Sequence, residues 1–352
     1  MKIANNMNIS ERPLSLLQAE LVQALPALLP SVRIRRVRPG VRQGAQRPDL
    51  LVEILTPSKH AQTLAIDVRT ALPPLHAPQA VSGAGYPVMA SRFLSPQLRA
   101  LCRQRGMGYL DLAGNCYLEL GTFHFERIVD RNPFPRRGRP ASVFSPVSSR
   151  VVRAMLEEPA HAWRVSELAE AAQVSLGQTS NVCRALIADG YAVRERHGVK
   201  PAQPGALLDA WRDEKPIDRH QARAYYAFDD TPERLMARMA AVAVERNWRY
   251  AVTSLAAASL IAPFVRGIGI VHWYAWDALQ AAEWVKALDL RPVESGPNAI
   301  LLVPDDAGVF YRSRPVQGVT VVGNIQLYLD LCREPARGKE QAEFLRKERL
   351  TF

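Results

Sequence analysis

A short polar run near the middle of the chain carries side chains that could recognise nucleic-acid bases. Glutamine and asparagine amides can form paired hydrogen bonds with adenine, arginine can do so with guanine, and serine or threonine hydroxyls can bond either base. The run consists of Ser175, Gln178, Thr179, Ser180, Asn181 and Arg184. No acidic residue interrupts it, so its composition favours hydrogen bonding to the base edges of a nucleic acid.

Cationic residues follow this run, around a glycine that indicates a tight turn. Arg194, Arg196, His197 and Lys200 surround Gly198, and Glu195 is the one acid between them. Basic side chains on such a turn suit contacts with phosphates, which fix the position of a protein on a duplex without reading its sequence.

Helix signals indicate how both groups of residues are positioned. Ser166 is predicted to cap a first helix that ends near Val174, and Ser175 to cap a second one, with Gln178 completing a capping box. Gly190 is predicted to end the second helix, where a positive φ is needed, and a short strand follows it. The inward-facing residues of the second helix are predicted to be Val182, Leu186 and Ile187.

The stretch from Ser148 to Lys200 resembles a winged helix-turn-helix, with Val151, Val152, Met155 and Leu156 in its first helix. The resemblance implies that the polar run enters the major groove of double-stranded DNA while the cationic hairpin holds phosphates. Two other interpretations stay open: a helical hairpin that serves only packing, and a winged helix that binds protein. The predicted fold class is mixed α/β, with this motif between two α/β modules.

Arginine clusters elsewhere in the chain extend the predicted contact with nucleic acid. Arg136, Arg137 and Arg139 lie in a Pro- and Gly-containing linker, and Arg150 and Arg153 follow in the first helix of the motif. We expect the linker to contact phosphates, since no acid occurs between Arg131 and Arg153.

A second basic stretch alternates arginine with apolar residues, which predicts a half-exposed strand over residues 32–41. Its arginines, and those that follow, are Arg33, Arg35, Arg36, Arg38, Arg42 and Arg47. Two interpretations of this stretch remain open, a solvated strand face and a strip that faces nucleic acid or another anion.

Acidic residues in the same N-terminal region raise a different chemistry. Asp49 after Pro48, and Asp67 two residues before Arg69, resemble the core motif of the PD-(D/E)XK nuclease fold, in which acids hold Mg²⁺ and a lysine polarises the attacked phosphate or water. Glu53 is a candidate third ligand. Arginine stands where lysine is expected, and it cannot exchange a proton at neutral pH. We therefore expect no catalysis, with a Mg²⁺-dependent nuclease as the alternative function.

The segment GYLDLAGN at 108–115 resembles the corresponding strand and turn of AbiEi-like type IV antitoxins, which place an α/β module before a winged helix. AVTSLAAASL at 251–260, ILLVPDD at 300–306 and GNIQLYLDLC at 323–332 resemble the C-terminal domain of the same regulators. The resemblance implies an autorepressing DNA-binding regulator and a toxin encoded nearby. We expect Asp111 to bond the amides of its turn, and Asp330 to meet Arg333 or Arg337.

Length and charge bound the remaining expectations. The 352 residues carry a net charge of +11, which favours a polyanionic partner. We expect four segments: an α/β module at 1–130, a basic linker at 131–147, the winged helix at 148–204 and a second α/β module at 205–352. Cys102, Cys116, Cys183 and Cys332 form no CxxC pair, which predicts reduced thiols and a cytoplasmic protein. No signal peptide, membrane span, metal or cofactor is expected, and the oligomeric state stays open, with a homodimer as one alternative.

Overall fold

The structure is a computed structural model that describes residues 14–39, 48–69, 85–129, 133–134, 142–214, 220–335 and 337–352. In these ranges the chain forms eleven α-helices and two seven-stranded mixed sheets, which confirms the predicted mixed α/β class. It divides into two compact units, residues 1–139 with 183–194 and residues 140–182 with 195–352. The segment 148–204, predicted as a domain of its own, is thus shared between the two units.

The first unit is built on one sheet with strands in sequential order. Its elements are α1 (Leu14–Leu28), β1 (Arg33–Pro39), β2 (Leu50–Leu55), β3 (Ala61–Arg69), β4 (Tyr86–Ser91), α2 (Pro96–Gln104), β5 (Gly108–Asp111), β6 (Cys116–Leu120) and β7 (Phe123–Arg127). Pairing is antiparallel from β1 to β3, parallel from β3 to β5 and antiparallel from β5 to β7.

Two apolar layers cover this sheet. Leu17, Leu21 and Leu25 recur every four residues along α1, and they are buried with the inward residues of the strands, such as Val52 and Ile66. A smaller cluster includes Leu98 and Cys102 of α2 with Met89, Tyr109 and Tyr117. The α1 spacing is therefore a core stripe, as the period of the sequence predicts.

The chain then forms α3 (Pro146–Glu157), α4 (Val165–Ala172), α5 (Leu176–Ala188), β8 (Ala192–Arg194) and β9 (Val199–Pro201), and β8 and β9 form a two-stranded sheet. The C-terminal elements are α6 (Pro204–Asp213), β10 (Gln221–Tyr226), α7 (Pro232–Arg246), β11 (Tyr250–Thr253), α8 (Ser254–Ile261), β12 (Val271–Ala275), α9 (Ala278–Ala287), β13 (Arg291–Pro292), β14 (Ala299–Val303), a 3₁₀ turn (Ala307–Phe310), β15 (Arg314–Val316), β16 (Val319–Val321), α10 (Asn324–Leu331), α11 (Gly338–Leu345) and a π turn (Arg346–Leu350).

The second seven-stranded sheet has the order β13-β10-β14-β12-β11-β16-β15. The β12–β14 and β11–β16 pairs are parallel, and the other pairs are antiparallel. The largest buried side chains around it include Trp273 and Tyr274 of β12 and Trp284 of α9. Trp273 is fully buried in the core, whereas Trp276 is 40% exposed.

A buried carboxylate organises the turn between β5 and β6. The two Asp111 oxygens accept hydrogen bonds from the backbone N–H of Asn115 (2.9 Å) and of Leu94 (2.8 Å), and from the Asn115 side chain (2.8 Å). The Asn115 oxygen in turn accepts from Arg99 and from the Val129 N–H, each at 2.7 Å. Burial raises the pKa of Asp111, while these donors act in the opposite direction. Asp111 is thus a structural group that holds the turn, as expected.

Asp111→Asn should lower the free energy of unfolding by about 2–3 kcal/mol, because an amide nitrogen would then face a buried donor that has lost its acceptor. Chemical denaturation followed by circular dichroism measures the change. Asp230→Asn is the matched control at an exposed surface pair, and it should alter stability by less than about 0.5 kcal/mol. Equal stabilities of the two variants would contradict the structural role of Asp111.

Candidate nucleic-acid interface

The helices α4 and α5 are joined by a tight turn at Gln173–Ser175. Gln173 adopts a left-handed conformation with φ of 53°, and the Val174 N–H donates to the Ala169 carbonyl at 3.0 Å. The α4 helix begins at Val165, so Ser166 lies in its first turn and not at the N-cap, where Arg164 stands. The prediction of Ser166 as the cap is wrong by two residues.

The start of α5 is capped by one half of the predicted capping box. The Ser175 hydroxyl accepts from the Gln178 N–H at 3.3 Å. The Gln178 side chain does not return to the cap and donates instead to the Ser148 hydroxyl of α3 at 3.0 Å. One of the two Gln178 amide hydrogens is therefore engaged within the chain.

Thr179 is fully buried, and its hydroxyl has no hydrogen-bond partner among the described residues. Thr179, Val182, Cys183 and Leu186 are all buried and recur at offsets of three and four, the inward stripe of a helix. Ile187 is only half-buried. The predictions of Thr179 as a base contact and of Ile187 as a core residue are both wrong, because the inward face is rotated relative to the expected one.

The other predicted base contacts lie at the surface to different degrees. Ser175 and Arg184 are exposed, and Ser180 and Asn181 are half-buried. Ser180, Asn181 and Arg184 each have an interaction within the chain, so binding a base would exchange one polar contact for another. This surface can offer hydroxyl, amide and guanidinium groups close to a helix N-terminus, whose unpaired N–H groups favour a negative partner.

The end of α5 is fixed within the first unit. Gly190 has φ of 82°, its N–H donates to the Ile187 carbonyl (3.1 Å), and the Tyr191 N–H donates to the Leu186 carbonyl (2.9 Å). These are the two bonds of a Schellman motif, so the prediction of Gly190 as the C′ residue is confirmed. The Ser95 hydroxyl also donates to the Asp189 carbonyl at 2.9 Å.

The hairpin after α5 presents cationic side chains. Arg194, Arg196 and His197 are exposed, whereas Lys200 is half-buried and pairs with Glu195 at 2.7 Å. Such a surface pair contributes about 0–1 kcal/mol, so Lys200 can exchange Glu195 for a phosphate at low cost. A Cβ at Gly198 would lie 2.3 Å from the Trp163 carbonyl oxygen, which explains the glycine in this turn.

The arginines of α3 have structural partners. Arg150 forms two hydrogen bonds with Asp306, at 2.8 and 2.9 Å, and a third with the Gln173 carbonyl at 3.3 Å. Arg153 is buried, with its guanidinium 4.9 Å from the centre of the Trp211 ring. Neither can reach a phosphate without leaving these contacts, so both arginines are structural residues of α3. Arg136, Arg137 and Arg139 lie outside the described residues.

A buried polar cluster in the second unit surrounds Asp330. Its carboxylate accepts hydrogen bonds from Thr253 (2.6 Å), Gln326 (2.7 Å) and Tyr274 (3.1 Å). Burial raises its pKa. Of its two predicted partners, Arg337 pairs instead with Glu340 at 3.0 Å, whereas the Arg333 cation is close enough to oppose the rise in the pKa of Asp330.

The nuclease-like acids of the first unit are held by their neighbours. Asp49 accepts from the Val68 N–H at 2.8 Å, Asp67 pairs with Arg69, and Glu53 pairs with Arg38 at 3.2 Å. Burial raises the pKa of Asp67 to about 6, which the Arg69 cation opposes and the adjacent Asp49 carboxyl reinforces. No group of three or more His, Cys, Asp or Glu side chains in the described part of the chain is placed to hold a metal ion.

Comparison with known proteins adds no relatives, since no family model, no curated protein and no solved structure matches the chain. Within the described ranges, no helix has the length and apolar character needed to cross a membrane.

Thr179→Val should leave the protein unchanged or stabilise it by up to about 1 kcal/mol, because it removes a buried hydroxyl that lacks a partner. Thermal unfolding measures the effect. The matched control is Thr253→Val, which removes a hydroxyl that donates to buried Asp330 and should destabilise by about 1–3 kcal/mol. Destabilisation of Thr179→Val by the same amount as the control would show that the Thr179 hydroxyl has a partner.

Proposed function

We propose that this protein is a sequence-specific regulator of transcription that binds double-stranded DNA through a winged helix-turn-helix. The observation that carries the proposal is the surface of α5, a capped helix N-terminus that presents Ser175, Ser180, Asn181 and Arg184. In a helix-turn-helix the corresponding residues contact base edges in the major groove. The basic hairpin and the net charge of +11 supply the attraction to phosphates that such binding requires.

The roles within this surface differ by chemistry. Asn181 and Arg184 suit paired hydrogen bonds to adenine and guanine, and Ser175 and Ser180 add single bonds. Arg194, Arg196 and His197 suit phosphates, with Lys200 available after exchange with Glu195. Autorepression and pairing with a nearby toxin are supported by the resemblance of residues 108–115 and of the C-terminal segments to AbiEi-like antitoxins.

Asn181→Ala should reduce discrimination between a preferred duplex and a scrambled one by about 1–3 kcal/mol, because the lost amide reads a base. Arg196→Ala should weaken both duplexes alike and flatten the dependence of log affinity on log salt by about one unit. Fluorescence anisotropy at graded salt measures both effects. Arg291→Ala, which removes an exposed charge from β13, is the control and should leave the slope nearly unchanged.

These roles require that Asn181→Ala mainly lowers discrimination between the two duplexes and that Arg196→Ala mainly lowers the salt dependence of binding. If both variants weakened all sequences equally, the assignment of Asn181 to base reading would be wrong. If the Arg291 control flattened the slope as much as Arg196→Ala, the hairpin would have no special part in binding.

A Mg²⁺-dependent nuclease is the second candidate function, because Asp49, just before β2, lies next to Asp67 of β3. The remaining groups do not complete a metal site, since Glu53 pairs with Arg38 and Arg69 occupies the position of the expected lysine. We therefore expect supercoiled plasmid to stay intact after incubation with the protein and Mg²⁺. Cleavage that Asp67→Asn abolishes would establish the nuclease and overturn this expectation.

A further inference from the structure

The edge strand β1 of the first unit carries an unusual arginine row. Its sequence is RIRRVRP, and Arg33, Arg35, Arg36 and Arg38 are all exposed. A strand that alternates strictly would place one of the adjacent pair Arg35 and Arg36 towards the core. Both arginines are exposed and neither points towards the core, so the strand must depart from strict alternation.

A β-bulge provides that departure. The register with β2 pairs Ile34 with Ile54 and then Arg36 with Glu53, so Arg35 is an extra residue in β1. Ile34 and Val37 consequently share one face and pack against the core beneath α1. Arg33, Arg36 and Arg38 share the opposite face of the sheet.

The charge of this row is only partly neutralised. Arg38 pairs with Glu53 at 3.2 Å, with both side chains well exposed. Arg33, Arg35 and Arg36 have no ion pair among the described residues. Asp67, on the same face two strands away, is already paired with Arg69. The edge of the sheet therefore presents several guanidinium groups in a row. Isolated charged side chains would be enough to keep an exposed edge strand from pairing with another chain.

We propose that this row, Arg33, Arg35, Arg36 and Arg38, is a second DNA-contacting surface that binds the phosphates of a duplex without reading its sequence. The choice of DNA as the binding partner rests on the proposed function, whereas the choice of residues rests on the geometry of β1 alone. Charge complementarity selects a polyanion, and a guanidinium suits phosphate because its planar fork can donate two hydrogen bonds. The row spans Arg33 to Arg38 and, at about 3.3 Å per residue, extends over about 17 Å of strand, enough to meet more than one phosphate.

The test compares Arg33→Gln/Arg36→Gln with a control that loses the same charge elsewhere, Arg266→Gln/Lys347→Gln. Arg266 and Lys347 are exposed residues of the second unit. The full-length protein is titrated with a preferred and a scrambled duplex at graded salt. We expect the β1 variant to weaken both duplexes by the same factor and to flatten the salt slope by about 1.8, at roughly 0.9 per phosphate contact. The control should change the slope by much less.

A charge-retaining variant at the same positions separates the loss of charge from any effect of the substitutions on folding. Arg33→Lys/Arg36→Lys should preserve most of the salt slope, since lysine keeps the cation but not the planar fork. Equal slopes for the β1 variant and the control would overturn the inference. Self-association of the glutamine variant on a sizing column, with DNA affinity unchanged, would also overturn it and would assign the arginines to protection of the sheet edge.

The outcomes distinguish this inference from the proposed function. Wild-type protein that binds both duplexes equally, but loses affinity in the β1 variant, would contradict sequence-specific regulation and support the arginine row. Wild-type protein that prefers one duplex, with no effect of the β1 variant, would contradict the row alone. Wild-type protein that binds neither duplex would overturn both.

Discussion

The position of helix α3 is the constraint on which the proposed DNA-binding surface depends. Arg150 joins three elements, because its guanidinium bonds Asp306 before the 3₁₀ turn and also the Gln173 carbonyl in the turn between α4 and α5. Two residues earlier, the Ser148 hydroxyl accepts a hydrogen bond from the Gln178 side chain at the start of α5. Helix α3 thus contacts both the segment that carries Asp306 and the turn at Gln173 that sets the orientation of α5.

Two charged residues of α3, Arg153 and Glu157, are buried in the contact between α3 and the C-terminal elements. Arg153 lies at the centre of the contact with its cation over Trp211, and Glu157 accepts from the Ile325 N–H at 3.0 Å. Burial lowers the pKa of Arg153 and raises that of Glu157, so each group is held in an environment that disfavours its charge. Removing the partner of a buried charged group costs more than removing one member of a surface ion pair, which contributes about 1 kcal/mol or less. Arg150 and Arg153 are thus structural residues, unlike the exposed Arg194 and Arg196 of the hairpin.

Local signals in the sequence predicted much of this surface. Ser175 and Gly190 act through neighbours a few residues away, as Asp111 does through Asn115, so these caps and turns follow from residue type and spacing, whereas the Leu94 bond to Asp111 does not. Arg150 could not be assigned in the same way, because its partner Asp306 lies 156 residues further along the chain. The burial of Thr179 could not be predicted for another reason. It is a small polar residue within a polar run, so its type does not show that it shares the inward face of Val182, Cys183 and Leu186. The bulge in β1 shows the converse, since the doubled arginine in RIRRVRP already conflicts with strict alternation.

The central claim is that α5 reads a DNA sequence, and selection of binding sites from a pool of random duplexes tests it most directly. The account predicts that the full-length protein enriches one motif, and that footprinting places the motif in the major groove within the protected region. Retention of duplexes with no enriched sequence would contradict base reading, even if the protein bound every duplex tightly.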